Sequence, residues 1–317
     1  MASASALRFG VVGWKRKKDL SMVLAEVVQQ PLCPFFDAAR PKTEDDYRGF
    51  LDNVDVILWF AWMLVPVPWL QAGRVTHPHV QHIMVNIDDP FCWSVSEFRM
   101  KDRVRAFGRA LVSSSAKLAE YAALGCKVRC AYPPIAAQFM PKAPAQPYMH
   151  DVCFLATNLY PASAYPGQLW DREAMVRALD ADVGVAVGVY GPETLRDVAP
   201  RTYVGWCSFA HMATVFATSR IVVSTHVVNA RAYLNRRCLE AMASGAVVLM
   251  DDILGARDLL GDAVVYLDTA RPFMDQVHAI LREYDGAGMC AARARAPRRA
   301  ASLASMDVFK HHVDAVL

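Results

Sequence analysis

The densest group of chemically capable side chains is the run Asn235-Arg236-Arg237-Cys238-Leu239-Glu240, followed by Gly245 and an apolar stretch that ends on Asp251 and Asp252. On a helix Arg237 and Glu240 stand one turn apart. Gly245 would stop that helix, and the apolar stretch reads as a buried strand closing on carboxylates. Spacing alone leaves an intrahelical Arg/Glu ion pair as open as a binding site. Asp88 and Asp89 precede Pro90, which forces an extended turn. A carboxylate there can take a proton from a hydroxyl as a general base, or cap the helix expected near Ser94. Lys15-Arg16-Lys17-Lys18 follow the first expected strand and oppose the dipole of the next helix, at a cost of ~0.3 kcal/mol or more each. They either attract an anion or form a solvated loop. His77, His79 and His82 fit no zinc spacing, and Pro78 prevents a helical pair, so they read as surface histidines and no metal is expected.

The elements that must position these groups follow from the alternation of short apolar runs with helix-length amphipathic stretches, the pattern of βα units around a parallel sheet. In the first half, strands are expected at 8–14, 32–37, 54–60, 82–88, 110–114 and 127–132. The segment 133–147 then holds five prolines and little periodicity, as a linker does. The alternation restarts with strands at 151–157, 183–190, 202–205, 220–225, 246–251 and 263–267, and helices at 170–179, 208–218, 232–243 and 272–284. A basic segment, 291–299, and a last helix near 304–316 close the chain. This gives an α/β protein of two Rossmann-like domains facing across a cleft: 1–140, a linker 141–150, 151–300, and a C-terminal helix 301–317. Open α/β sheets bind ligands at the carboxyl ends of their strands, so function is sought there.

Composition supports two well-formed cores. Of 317 residues 54% are hydrophobic and 21% charged, which excludes a disordered chain. A mean hydropathy of +0.17 fits strands buried on both faces. The longest apolar run, 56–70, is about 15 residues and contains Pro66 and Pro68, too short and too broken to span a bilayer. It reads as a strand and a Trp-rich loop, with room for peripheral membrane contact. The start MASASALRFGVVGW lacks the features of a secretory signal, and the eight cysteines form no CxxC pair, so a cytoplasmic, reducing location is expected. A net charge of +3 is too mild to require nucleic acid as a partner.

The segment NxRxxEAMASGAVVLxD, followed by Gly255-Ala256-Arg257-Asp258-Leu259-Leu260, resembles the donor-binding region of GT-B glycosyltransferases, most closely the CgeB-like (spore maturation) group. The similarity extends back through Tyr203-Val204-Gly205-Trp206, Phe209 and His226 and forward to Asp268; the first half matches only in architecture. The resemblance implies a metal-independent glycosyltransferase, without a cofactor, that uses a nucleotide diphosphate sugar, with uridine or guanosine the common bases, and an unidentified acceptor hydroxyl. In such enzymes the glutamate matching Glu240 holds the ribose hydroxyls, two hydrogen bonds that a carboxylate accepts well. Arg237 and Arg236 would face the diphosphate, with Asn235 in the same motif. Gly205 and Trp206 match the nucleobase cradle, although Trp206 alone also reads as a core or rim aromatic. Thr225, in the strand end Ser224-Thr225-His226, would reach phosphate or cap the next segment. Asn158, after Thr157, matches a loop near the phosphates. Arg172 is either a diphosphate clamp or a surface ion-pair partner of Asp171 or Glu173.

For such a transferase Asp88 or Asp89, closing an expected strand at the cleft, would be the catalytic base on the acceptor side, and Lys15 and Arg16, in the loop after the first strand, would contact acceptor or phosphate. Many retaining relatives carry a second glutamate eight positions before the first, where this chain has Ala232; Asp251 and Asp252 are not obvious replacements. That departure motivates an alternative, a degenerate scaffold that binds a nucleotide or sugar phosphate without turnover. A phosphosugar epimerase on the same fold is a third reading.

Overall fold

Apolar runs that bury both faces of a strand build parallel sheets, and they do so here twice. The computed structural model describes residues 7–13, 35–37, 43–60, 66–87, 97–140, 147–159 and 168–317. Among them twelve strands lie where the apolar runs predict, with ends that differ by a few residues. The chain divides into two compact units: Met1–Ser113 with Lys117–Ala136 and Met306–Leu317, and Ser114–Ala116 with Ala137–Ser305. No helix among the described residues is long and apolar enough to cross a membrane.

In the first unit β1 (Phe9–Gly13), β2 (Phe35–Asp37), β3 (Val56–Trp59), β4 (Gln81–Asn86), β5 (Arg109–Val112) and β6 (Lys127–Cys130) form a parallel sheet ordered β2-β1-β3-β4-β5-β6. Successive side chains of a strand point to opposite faces. Ile57, Trp59, Met84, Ala110 and Val112 pack with Tyr47 and Leu51 of helix Glu44–Leu51 and with Val104 and Phe107. Val56, Leu58, Ile83, Val85 and Leu111, on the other face, pack with Phe309, Val313 and Val316 of the last helix, Met306–Val316. His82 shares the parity of Met84 and is 2% exposed, so it is a core residue rather than the surface histidine expected. His77 pairs with Asp52 at 2.9 Å.

In the second unit β7 (His150–Leu155), β8 (Val187–Tyr190), β9 (Tyr203–Gly205), β10 (Ser219–Ser224), β11 (Val247–Asp251) and β12 (Val265–Leu267) are parallel in the order β12-β11-β10-β7-β8-β9. Renumbered within the unit this is the 3-2-1-4-5-6 order of the dinucleotide-binding fold, with the reversal between β7 and β10. Val152, Phe154, Ile221, Val223, Val247 and Leu249 form one core layer with Met175, Val176 and Leu179 of helix Arg172–Ala181 and Val277 and Ile280 of helix Phe273–Arg282.

Three local features depart from the sequence reading. The helix expected from 232 starts at Arg236, because the Asn235 side chain accepts from the Cys238 N–H and caps it. Ala232 lies outside that helix with φ of 58°, a left-handed conformation. The basic segment 291–299 is part of one helix, Ala287–Ala304, whose Ala292, Ala296, Ala300 and Ala304 are buried at every fourth position. Extended backbone at Ser305 separates it from the last helix.

Candidate functional site

The chain leaves β7 and β10 in opposite directions, which opens a crevice at their carboxyl ends. In the second unit that crevice is lined by Leu155 and Ala156 from β7 and its exit, Ser224 and Thr225 from the end of β10, and Arg172, Asn235 and Arg237. Four residues expected in a site, Arg172, Thr225, Asn235 and Arg237, are thus brought together, with Ser224 beside them.

Each is held by its element. Asp171 caps helix Arg172–Ala181 by accepting from the Ala174 N–H, which sets the first helical residue at the crevice. Arg172 is 5% exposed, and its Nε donates to Thr225 Oγ1 at 3.0 Å while Nη2 donates to the Thr225 carbonyl. The surface ion pair with Asp171 or Glu173 is not formed: Asp171 is the cap and Glu173 pairs with Arg177 at 2.7 Å. Asn235 accepts from the Cys238 N–H at 2.9 Å and from Ser224 Oγ at 3.2 Å, and donates to the Thr225 carbonyl at 3.2 Å. Arg237 Nη1 donates to the Leu155 carbonyl at 2.6 Å. Two guanidinium groups and the start of helix Arg236–Ala243 therefore surround one crevice with positive potential, an arrangement suited to a phosphate or other anion.

Glu240 and Arg236 face each other instead. Arg236 Nε lies 2.6 Å from Glu240 Oε1 across one turn, so the intrahelical pair involves Arg236 rather than Arg237. The N–H is not aimed at the oxygen, and among the described residues neither atom has a well-aligned hydrogen-bond partner. Arg236 also lies 4.5 Å over the Phe209 ring. Burial raises the Glu240 pKa above the ordinary carboxylate range, opposed by Arg236 and then Arg237. The Arg236 guanidinium thus covers a carboxylate that is 1% exposed.

Gly205 ends β9 with φ of 127°, which only glycine adopts without strain, and Trp206 beyond it is 62% exposed. Trp206 is thus no core aromatic. Asn158 is partly buried in the segment after β7. Asp88, Asp89, Lys15 and Arg16 lie outside the described residues.

One polar pair was not foreseen. His226, just past β10, and Asp251, the last residue of β11, are each 1% exposed and joined Nδ1 to Oδ1 at 2.6 Å. The sequence holds only part of the signal: both residues close apolar runs, but it does not show that those runs are neighbouring strands.

Residues 172–305 match the model of a glycosyl transferase-like family. No curated protein sequence matches the chain. Among solved structures the chain is similar to HepE from Anabaena in complex with UDP-glucose, with a TM-score of 0.69, 12% identity, and 98% of this chain and 99% of that one covered. It is also similar to sucrose-phosphate synthase from Thermosynechococcus elongatus, with a TM-score of 0.60, 12% identity and 98% of both chains covered. A third is AviGT4, a glycosyltransferase involved in avilamycin A biosynthesis, with a TM-score of 0.60, 14% identity, and 98% of this chain and 97% of that one covered. The shared fold is the pair of Rossmann-like domains of the GT-B type.

Proposed function

We propose that the protein is a glycosyltransferase that moves a sugar, a hexose or a close relative, from a uridine diphosphate sugar to an acceptor hydroxyl. The observation that carries this reading is the basic crevice at the β7/β10 switch point, which falls in the unit holding the glycosyl transferase-like match. Breaking the bond between sugar and diphosphate leaves negative charge on the departing phosphate. Arg172, Arg237 and the amino end of helix Arg236–Ala243 are fixed in place to receive that charge before the reaction starts. Thr225, pinned by Arg172, and Asn235 supply hydrogen bonds beside them, with Asn158 on the neighbouring segment. Such fixed donors do the work that a divalent cation does elsewhere, so the reaction needs neither metal nor cofactor. Trp206 and Gly205 receive the nucleobase, and Glu240, once Arg236 turns away, takes the ribose hydroxyls.

On the acceptor side, Asp88 or Asp89 serves as the base, and Lys15 and Arg16 attract the acceptor or the phosphates. Within glycosyltransferases the CgeB-like group remains the assignment that the Asn235–Glu240 motif favours. The test is direct. UDP at millimolar concentration is expected to raise the melting temperature, with GDP, ADP and dTDP as comparisons, corresponding to about 2.7 kcal/mol at a hundredfold excess over Kd. A panel of nucleotide sugars then scores slow donor hydrolysis. Failure of all four diphosphates to bind would overturn the donor site; binding without any turnover would overturn the transferase.

A further inference from the structure

The connection from β10 to helix Arg236–Ala243 begins with a buried polar group that the diphosphate crevice leaves unused. His226 is anchored by three contacts from two of its atoms. Its main-chain N–H donates to both carboxylate oxygens of Asp251, at 3.2 and 3.0 Å, and Nδ1 meets Oδ1 at 2.6 Å. Since Asp251 already acts there as an acceptor, Nδ1 carries the proton. In the neutral ring Nε2 is then a lone pair, and it is buried without a hydrogen-bond partner among the described residues. Buried nitrogens of this kind are rare because they forgo water and gain nothing in return. The residue before it, Thr225, is part of the crevice wall, with its carbonyl held by both Arg172 and Asn235. His226 therefore follows directly on a rigid part of the crevice wall, and the Tyr233 ring lies edge-on against its imidazole at 5.8 Å.

We propose that His226, oriented by Asp251, is a sugar-contacting residue: its Nε2 accepts a hydrogen bond from a hydroxyl of the glycosyl group of the nucleotide sugar. The chemistry selects a hydroxyl. A lone pair repels phosphate oxygens, which carry no proton, whereas a sugar hydroxyl presents one. The phosphates belong to Arg172 and Arg237, and His226 adds discrimination between a nucleotide sugar and the bare diphosphate. For the sugar to reach Nε2, the segment 227–234, where Ala232 is held at φ of 58° with its N–H donating to the Leu254 carbonyl at 2.8 Å and Tyr233 contacts the ring, has to move aside.

This rests on the donor-site reading, and the test separates the two. Equilibrium binding of UDP and of the tightest of UDP-glucose, UDP-galactose and UDP-N-acetylglucosamine is measured on the full chain and on His226→Asn and His226→Gln. Asparagine mimics the Nδ1 side and keeps the Asp251 contact; glutamine mimics the Nε2 side. In His226→Asn the UDP-sugar is expected to bind about tenfold more weakly while UDP stays within about twofold, and His226→Gln recovers part of the loss. Equal losses for UDP and UDP-sugar, or none for either, would overturn the sugar contact and leave His226 a structural residue. If wild type binds neither ligand, the donor site itself is wrong and this inference falls with it. Should the variants fail to fold, histidine-selective ¹⁵N NMR of the wild type gives the same answer: the His226 Nε2 resonance moves on addition of UDP-sugar and not of UDP. Equal movement with both ligands would overturn the proposal.

Discussion

A carboxylate whose nearest guanidinium is close but misaligned, as Glu240 is toward Arg236, is poised between an internal partner and an external one. The pair has two consequences for substitution. Glu240→Ala removes the counter-charge of a mostly buried Arg236, whose side chain is 17% exposed, so it is expected to cost about 1–3 kcal/mol of stability, below the range for fully buried pairs. It is also expected to weaken UDP. Chemical denaturation together with UDP titration measures both, and a variant unchanged in both would remove Glu240 from the site. At the crevice, Arg172→Gln and Arg237→Ala are each expected to weaken UDP about tenfold or more while uridine changes less than about twofold, because each loses a charge-assisted bond to phosphate. Equal loss for uridine would assign these arginines to architecture alone. Sequence reasoning brought Thr225, Asn235 and Arg237 forward through one motif and the strand end before it, and Arg172 separately, as the residue that opens a helix. It could not tell that Arg236, rather than Arg237, turns back on Glu240, because two adjacent arginines differ only in the face they occupy.

Elements were the most legible level. The strands announce themselves because parallel strands buried on both faces cannot carry charge in their centres, as Val247–Asp251 shows with every residue buried. Helix starts were less legible. The run from 232 has apolar residues at helical spacing, and what displaces the start to Arg236 is the competition of the Asn235 side chain for the backbone, a local hydrogen bond with no periodic signature. Asn235→Ala removes that cap together with its bonds to Ser224 and Thr225, and is expected to cost about 1–2 kcal/mol. The cost reads out as a lower urea midpoint with unchanged slope. No shift in midpoint would mean that the helix start is fixed by packing alone. The His226–Asp251 pair escaped because pairing β10 with β11 is a property of sheet order, and sequence shows runs but not which of them are neighbours.

On the scale of the whole molecule, stability is tied to pH through the core of the first unit. Burial, with Arg74, Arg109 and His77 adding to it, lowers the His82 pKa from 6.5 to about 3. The folded protein therefore resists protonation that the unfolded chain accepts from pH 6.5 downward. The neutral ring's contribution is intact above pH 6.5 and is lost as pH falls toward 3. Between pH 7 and pH 5 this group alone is expected to remove about 2 kcal/mol. His82→Leu should flatten that part of the profile, and an unaltered slope between pH 7 and 5 would show that His82 is not the group responsible. The boundary between the two units was only partly written in the sequence. The prolines of 133–147 mark a break, but nothing in the pattern of 306–316 tells which sheet its apolar face will cover.

That last helix alters the order in which the protein can be completed. Phe309, Val313 and Val316 cover one face of the first sheet, yet they leave the ribosome only after the entire second unit has been made. Throughout that interval Val56, Leu58, Ile83, Val85 and Leu111 face water or a chaperone. The first unit is thus synthesised first but finished last. A cut between the halves leaves the first missing its cover, and a separately supplied 306–317 peptide is expected to restore it.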